Sequence, residues 1–343
     1  MNLEQISNHL FIFNFDMKKF LINILLIISI PFIIIFSLYW LTDPFKVNKQ
    51  FSLNNFTDVN REYISMGLFL KQNPIYHYNS FVFGSSRCHG INTYTWKHLL
   101  NKTTNQKDTI SQFLFQAWSE TINGINQKIE YLDRNNIPLN NALVLVDIGS
   151  FRKDAEDVLS VKHYLLSEKS KISYQKVFVQ AYMGNPGKIA SSIKRLIKPK
   201  PVYIGFDTIS NDGNINNRYN YLEEPKQNSL DKSQFGKRPL KEQFAEQEIT
   251  SDYLKILENI KRIFDKHQTQ YKFIITPTYN QVRINDEDLK LLNQVFGEDN
   301  VYNFSGKNYI TEDKYNWTDN WHFDLIVGWW MLHTIYEKNR NLP

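Results

Sequence analysis

The sequence predicts a three-layer α/β sandwich, with a mostly parallel sheet between helices, preceded by one N-terminal transmembrane helix. Three observations lead there. A charge-free apolar run fills residues 20–41. Beyond it, short apolar runs alternate with segments of helical period, the pattern of a parallel sheet covered on both faces. One of those runs, Ala142-Leu143-Val144-Leu145-Val146, is apolar throughout, as a strand buried on both faces must be.

The membrane segment comes first in the chain. Residues 1–19 form a short tail, and residues 20–41 read FLINILLIISIPFIIIFSLYWL. At a rise of about 1.5 Å per residue this run spans a bilayer core. Lys18 and Lys19 precede it, and Tyr39 and Trp40 stand near its far end, where aromatic anchors belong. A cleaved signal peptide is the rival reading, but the run is long for an h-region and no A-x-A site follows. The short N-terminal side places the N-terminus in the cytoplasm and the rest outside it, although Lys46 and Lys49 partly balance Lys18 and Lys19.

Residues 43–79 read as a polar, Asn-rich stalk ending in a helix near residues 61–72. Residues 80–343 read as the α/β domain. Its strands are expected at 80–83, running into a turn at Gly84, and at 110–115, 142–146, 273–275 and 301–304. Its helices are expected at 120–135, 249–267, 286–296 and 325–338. Between about 151 and 248 the alternation weakens into helical pieces joined by Asn-, Gly- and Lys-rich segments, which predicts an inserted cover over the sheet. Loops as long as residues 223–241 are expected to be mobile. The basic segment 188–200, with Arg195 and Lys198, reads as a solvated helix face or as a contact for anionic lipid or polymer.

Composition narrows the chemistry. Of 343 residues, 40 are Lys or Arg and 35 are Asp or Glu, a net charge of only +5, which is no strong nucleic-acid signature. The single cysteine, Cys88, excludes an internal disulfide and a Cys-based zinc site, and reads as a small buried residue.

Two constellations carry chemistry. The first is Phe81-Val82-Phe83-Gly84-Ser85-Ser86-Arg87, a strand running into a turn that presents a serine at the carboxyl edge of a sheet. A plain βα loop would look the same. The second is Asp319-Asn320-Trp321-His322. An Asp three residues before a His can orient the imidazole, which can then take a serine proton. The alternatives are a polar turn with Asp319 or Asp324 as a helix cap, and a metal site of Asp319, His322 and Asp324, for which no second histidine has ligand spacing. Trp317, Trp321, Trp329 and Trp330 surround His322. Their faces suit sugar rings, while Trp329 and Trp330 fit a core equally well.

Together these residues resemble the SGNH (GDSL-like) hydrolase superfamily. The tail, Tyr302-Asn303-Phe304-Ser305-Gly306 followed by Asn316-Trp317-Thr318-Asp319-Asn320-Trp321-His322-Phe323 and Gly328, is similar to the ending of a membrane-anchored branch found among envelope polysaccharide genes. Residues 84–87, 115–122 and 272–277 extend the likeness, which covers about residues 81–335 without the middle insertion. The resemblance implies a flavodoxin-like SGNH sheet with Ser86 as nucleophile, His322 as base and Asp319 as its orienter. Gly84, Ser85, Arg87, Ala117 and Trp118 become candidates for substrate or oxyanion contact. It also implies an extracytoplasmic acyltransferase or esterase, without cofactor, acting on O-acetyl groups of a cell-surface polysaccharide beside a membrane protein that exports the acyl donor. The competing reading is a non-catalytic glycan-binding or assembly module. This sequence departs from the family in three places. Ser85 replaces the Asp of G-D-S, the glycine of the second block is replaced near Ala117-Trp118-Ser119, and Asp147 stands where the third block would bring an oxyanion-binding Asn. Arg87 is either an anion contact or the partner of a carboxylate.

Overall fold

The computed structural model describes residues 3–45, 61–103, 109–151, 171–198, 206–227, 229, 233 and 235–337. The chain divides into two compact units. The first holds helix α1 (Leu3–Thr42), whose stretch Met17–Thr42 is long and apolar enough to cross a membrane and continues through Pro31. Its far end packs on helices α5 (Lys171–Met183) and α6 (Pro186–Ile197). The Tyr39 ring lies 5.6 Å from that of Tyr182, and the Phe45 ring 5.4 Å from that of Phe178.

The second unit is an α/β domain around five parallel strands. These are β1 (Ser80–Gly84), β2 (Gln112–Gln116), β3 (Asn141–Val146), β5 (Gln270–Ile275) and β7 (Val301–Asn303), in the order β2-β1-β3-β5-β7. Two short strands, β4 (Gln243–Phe244) and β6 (Val282–Arg283), pair apart from it. Alternate side chains feed two separate cores, because neighbouring residues of a strand point to opposite faces. Phe81, Phe83, Phe113, Phe115, Val144 and Phe273 pack with helices α2 (Arg61–Tyr76), α4 (Ile122–Arg134), α7 (Ser251–Lys266) and α8 (Asp286–Phe296). Val82, Leu114, Leu143, Leu145 and Ile274 pack with helices α3 (Thr93–Thr103) and α10 (Leu325–Tyr336). A single turn of helix, α9 (Tyr309–Glu312), precedes α10.

The strands expected from apolar runs are β1, β2, β3, β5 and β7, with β2 two residues later than its run suggests. Residues 61–76 of the expected stalk form α2, whose Met66, Leu68 and Phe69 are buried in the core; this part belongs to the domain. Residues 46–60 lie outside the described residues. The expected cover is divided between the units: Lys169–Val202 groups with α1, and the chain from Tyr203 onward with the sheet.

The part that stays with the sheet runs along its edge. Leu114 of the edge strand β2 donates its N–H to the Ser210 carbonyl, and its own carbonyl accepts from the Asn211 side chain at 2.7 Å. An edge strand's unpaired backbone groups are thereby occupied. Asn211 holds a positive φ of 60° to make this turn. Asp212 then accepts from the N–H and hydroxyl of Thr93, at 2.7 and 2.9 Å, and so caps α3. Asp207 accepts from Tyr94 and Ser210 and pairs with Arg218.

Candidate active site

Counted in chain order, the five strands of the main sheet run 2-1-3-4-5, so successive crossovers leave β1 for β2 and then return to β3. The carboxyl ends of β1 and β3 flank the crevice where such sheets bind ligands. The candidate residues sit there. β1 ends at Gly84, where an added Cβ would lie 2.9 Å from the Leu145 carbonyl oxygen and 3.1 Å from its Cβ. Only a glycine lets β1 and β3 stay this close as the chain turns. Ser85 caps the 3-10 turn Ser86–Gly90, and Ser86 is its first residue. As the first residue of that turn, Ser86 has an N–H with no acceptor within the turn itself.

The C-terminal segment meets this turn from the other side. Phe323 pairs with Trp317 in an antiparallel bridge, and Thr318 donates its N–H to the His322 carbonyl at 2.9 Å. This closes a tight loop with Asp319 at its tip. Asp319 Oδ1 accepts from the N–H groups of Trp321 and His322, at 2.7 and 2.8 Å. The same carboxylate accepts from His322 Nδ1, at 2.7 Å through Oδ2, and His322 Nε2 lies 2.9 Å from Ser86 Oγ. Burial pushes the Asp319 carboxyl up, but the hydrogen bonds from His322 and the two backbone N–H groups outweigh it and hold it below the ordinary aspartate value.

Two glycines bring the halves together. A Cβ on Gly328 of α10 would run into the Gly90 carbonyl, and one on Gly90 would run into the Phe323 ring. The first turn of α10 thus lies directly on the Ser86–Gly90 turn. Asp324 caps α10 by accepting from the Leu325 N–H at 2.6 Å.

The third wall is the end of β3. Asp147 pairs with Arg87, accepts from the Gly149 N–H at 2.7 Å and receives the Ser85 hydroxyl at 3.4 Å. Arg87 also donates through Nε to the Trp321 carbonyl at 3.1 Å. One guanidinium thereby joins the ends of β1 and β3 to the histidine loop. Asp147 stands beside the Ser86 turn as one half of an ion pair and is no isolated charge.

The remaining candidates fall out as follows. The Ala117 N–H donates to the Gly84 carbonyl at 3.3 Å, continuing the β1–β2 ladder, so it is committed and does not face an oxyanion. Trp118, just beyond, is 66 % exposed. Trp321 is also exposed, whereas Trp317, Trp329 and Trp330 are buried in the core. Cys88 is buried; its surroundings, burial first and then Glu120 and Asp147, push the thiol far above its usual range and keep it protonated. His89 is exposed, and Gly213 packs against its ring. Among the described residues no group of three His, Cys, Asp or Glu side chains is placed to hold a metal ion.

Sequence reasoning passed over one charged pair beside the site. Glu120, in the loop after β2, and Lys128 of α4 form a fully buried ion pair. A signal existed: Lys128 sits between Ile125 and Leu132 on the apolar stripe of α4, where an unpaired ammonium would be costly. The Asp207–Arg218 and Asp212–Thr93 contacts gave no local signal.

No family model, curated protein or solved structure matches this chain. The functional reading therefore rests on the geometry above and on the motif resemblance.

Proposed function

We propose that the protein is a membrane-anchored serine acyltransferase or esterase of SGNH type, with a three-layer α/β domain on the extracytoplasmic side. The observation that carries this is the continuous chain Ser86 Oγ–His322–Asp319 at 2.9 and 2.7 Å, assembled from two segments 236 residues apart.

The chemistry follows from the three groups. Ser86 Oγ adds to the carbonyl carbon of an acyl ester while His322 Nε2 takes the hydroxyl proton. Asp319, on Nδ1, stabilises the imidazolium that forms. The oxyanion accepts from the Ser86 N–H. On collapse the carbon–oxygen bond to the leaving alcohol breaks and His322 returns the proton to that alcohol, leaving acyl-Ser86. A sugar hydroxyl or water then adds, giving its proton to His322, and the second collapse restores the serine. An acetyl group of a cell-surface glycan is the acyl unit that the resemblance suggests. Donor supply by an exporting membrane protein belongs to the same proposal.

The test is to incubate purified full-length chain with an activated acetyl ester and map the adduct. Acetyl on the Ser86 peptide, discharged by added glycan, supports transfer; discharge at the same rate by water alone supports hydrolysis. No adduct, with the protein folded, contradicts both. The carboxylate of Asp147 in place of an oxyanion-binding amide favours one other reading, a non-catalytic glycan-binding module, which would form no adduct at all.

A further inference from the structure

Helix α6 is packed the wrong way round for water. Its sequence, PGKIASSIKRLI, puts Ile189, Ile193, Leu196 and Ile197 on one side and Lys188, Ser191, Ser192 and Arg195 on the other. A helix on a water-soluble domain buries the first set. Here Ser192 is buried at 1 % exposure, Lys188, Ser191 and Arg195 are half-buried, and Ile193, Leu196 and Ile197 are exposed at 43, 54 and 71 %. Three adjacent branched apolar side chains facing outward cost free energy in water and gain it in hydrocarbon, at about 25 cal/mol per Å².

The position of this face within its unit says what covers it. α6 packs on α1, whose apolar stretch ends at Thr42, three residues before Phe45. Lys188 lies over the Phe45 ring at 5.7 Å. The charge around it has one sign. From Lys169 to Val202 the chain carries eight Lys or Arg residues and no Asp or Glu. Lys194 and Lys198 are exposed beside the apolar patch.

We infer that α6 is an interfacial helix that lies in an anionic leaflet beside the exit of α1, with Ile193, Leu196 and Ile197 in the acyl chains and Lys194 and Lys198 at lipid phosphates. The partner is the membrane surface itself, reached by a helix rich in basic residues on one face and branched apolar residues on the other. The inference is independent of the proposed chemistry and rests on α1 being a span. It gives the protein a second attachment, which fixes the orientation of the α1–α5–α6 unit on the bilayer beyond what one rotating span provides.

The test uses the full chain reconstituted in vesicles of phosphatidylcholine with roughly one-third phosphatidylglycerol, the range in which basic helices bind anionic surfaces. Nitroxide labels are placed singly at Ile193→Cys, Ile197→Cys and Lys194→Cys. Ile28→Cys in α1 is the lipid control and Leu240→Cys, 97 % exposed, the water control. Cys88 is buried, and unmodified protein checks that it takes no label. The expected result is an oxygen-to-nickel-chelate collision ratio at positions 193 and 197 severalfold above that at 240. Position 194 should lie between, and both apolar labels should move toward water in pure phosphatidylcholine or after Lys194→Gln with Lys198→Gln. Water-like values at 193 and 197 while position 28 remains lipid-exposed would overturn the inference. Shielding from both reagents would overturn it too, because it would mean that a second copy or another protein covers the face. A water-like reading at position 28 would remove the span and this inference with it, and would leave the Ser86 adduct test unaffected.

Discussion

Two loops reach the Ser86 turn, and they are built on opposite principles. The loop from Thr318 to Phe323 is built around one carboxylate: Asp319 holds two backbone N–H groups and the ring of His322 at once. The turn after β3 presents a carboxylate, Asp147, and then neutralises it through Arg87. The first loop fixes one imidazole through one carboxylate. The second joins its carboxylate to the end of the neighbouring strand through that ion pair. The contrast teaches that two carboxylates beside one turn can be held in different ways, Asp319 by an imidazole and backbone N–H groups, Asp147 by a guanidinium and one backbone N–H.

That comparison can be broken at its strong side first. Ser86→Ala and His322→Ala should each lower acyl turnover by about 10⁴-fold or more, and the double variant should be little worse than either, because the two act as one unit. Asp319→Asn should cost less, on the order of 10²–10⁴-fold, since serine and imidazole remain and only orientation and charge are lost. Steady-state kinetics of the three variants on one acetyl ester decides this; an additive double variant would contradict the shared unit. Cys88→Ala and His89→Ala should retain most activity.

The weaker side is sharpened by a cycle on Arg87 and Asp147. Arg87→Ala leaves a carboxylate facing the developing oxyanion and should lower kcat by roughly 10–100-fold with little change in KM. Asp147→Asn alone should be near neutral or faster. The double variant should recover most of the loss, a coupling that the cycle isolates. Equal losses in Arg87→Ala and in the double variant would mean that Arg87 contributes something other than neutralising Asp147.

The Gly90–Gly328 contact seats the helix that follows the His322 loop on the Ser86 turn. Gly328→Ala should destabilise the domain by about 1–3 kcal/mol, as overpacking against rigid backbone does, and should lower activity more than a surface substitution of equal stability cost. Thermal unfolding with parallel turnover tests it.

The smallest effect is on pH dependence. Asp319 has its native value depressed, so its contribution to stability is present above the ordinary aspartate value and is lost as pH falls through the lower native one. Asp319→Asn should therefore flatten this part of the acid limb. Asp212 behaves oppositely. Burial pushes it up to about 6, so its contribution is fully present below the ordinary aspartate value and is lost as pH rises through about 6. Denaturant midpoints of the wild type and Asp319→Asn between about pH 3 and 7 should differ most near neutral pH and converge toward the acid end.

Much of this architecture was legible in the sequence. Ala142 to Val146 announces a doubly buried strand, and Gly84 announces the turn that presents Ser86. Asp319 and His322 announce each other by spacing. What stayed hidden depends on partners distant in sequence. The Asn211 side chain closes the edge of β2 at Leu114, 97 residues away, and nothing local to either residue declares it. Gly90 and Gly328 are unremarkable until α10 lies on the Ser86 turn. The periodicity of α6 gave its two faces but not which of them is covered, because only tertiary contacts with α1 and α5 decide that.

The central claim is that His322 activates Ser86, and a fluorophosphonate probe tests it most directly, since it reacts with an activated serine and little with an ordinary one. Wild-type full-length protein should be labelled on the peptide containing Ser86, and labelling should vanish in Ser86→Ala and fall by at least about 10³-fold in rate in His322→Ala. Labelling of His322→Ala at the wild-type rate, or no labelling of folded wild-type protein, would contradict the account and leave the Ser86–His322 contact as a structural hydrogen bond in a binding module.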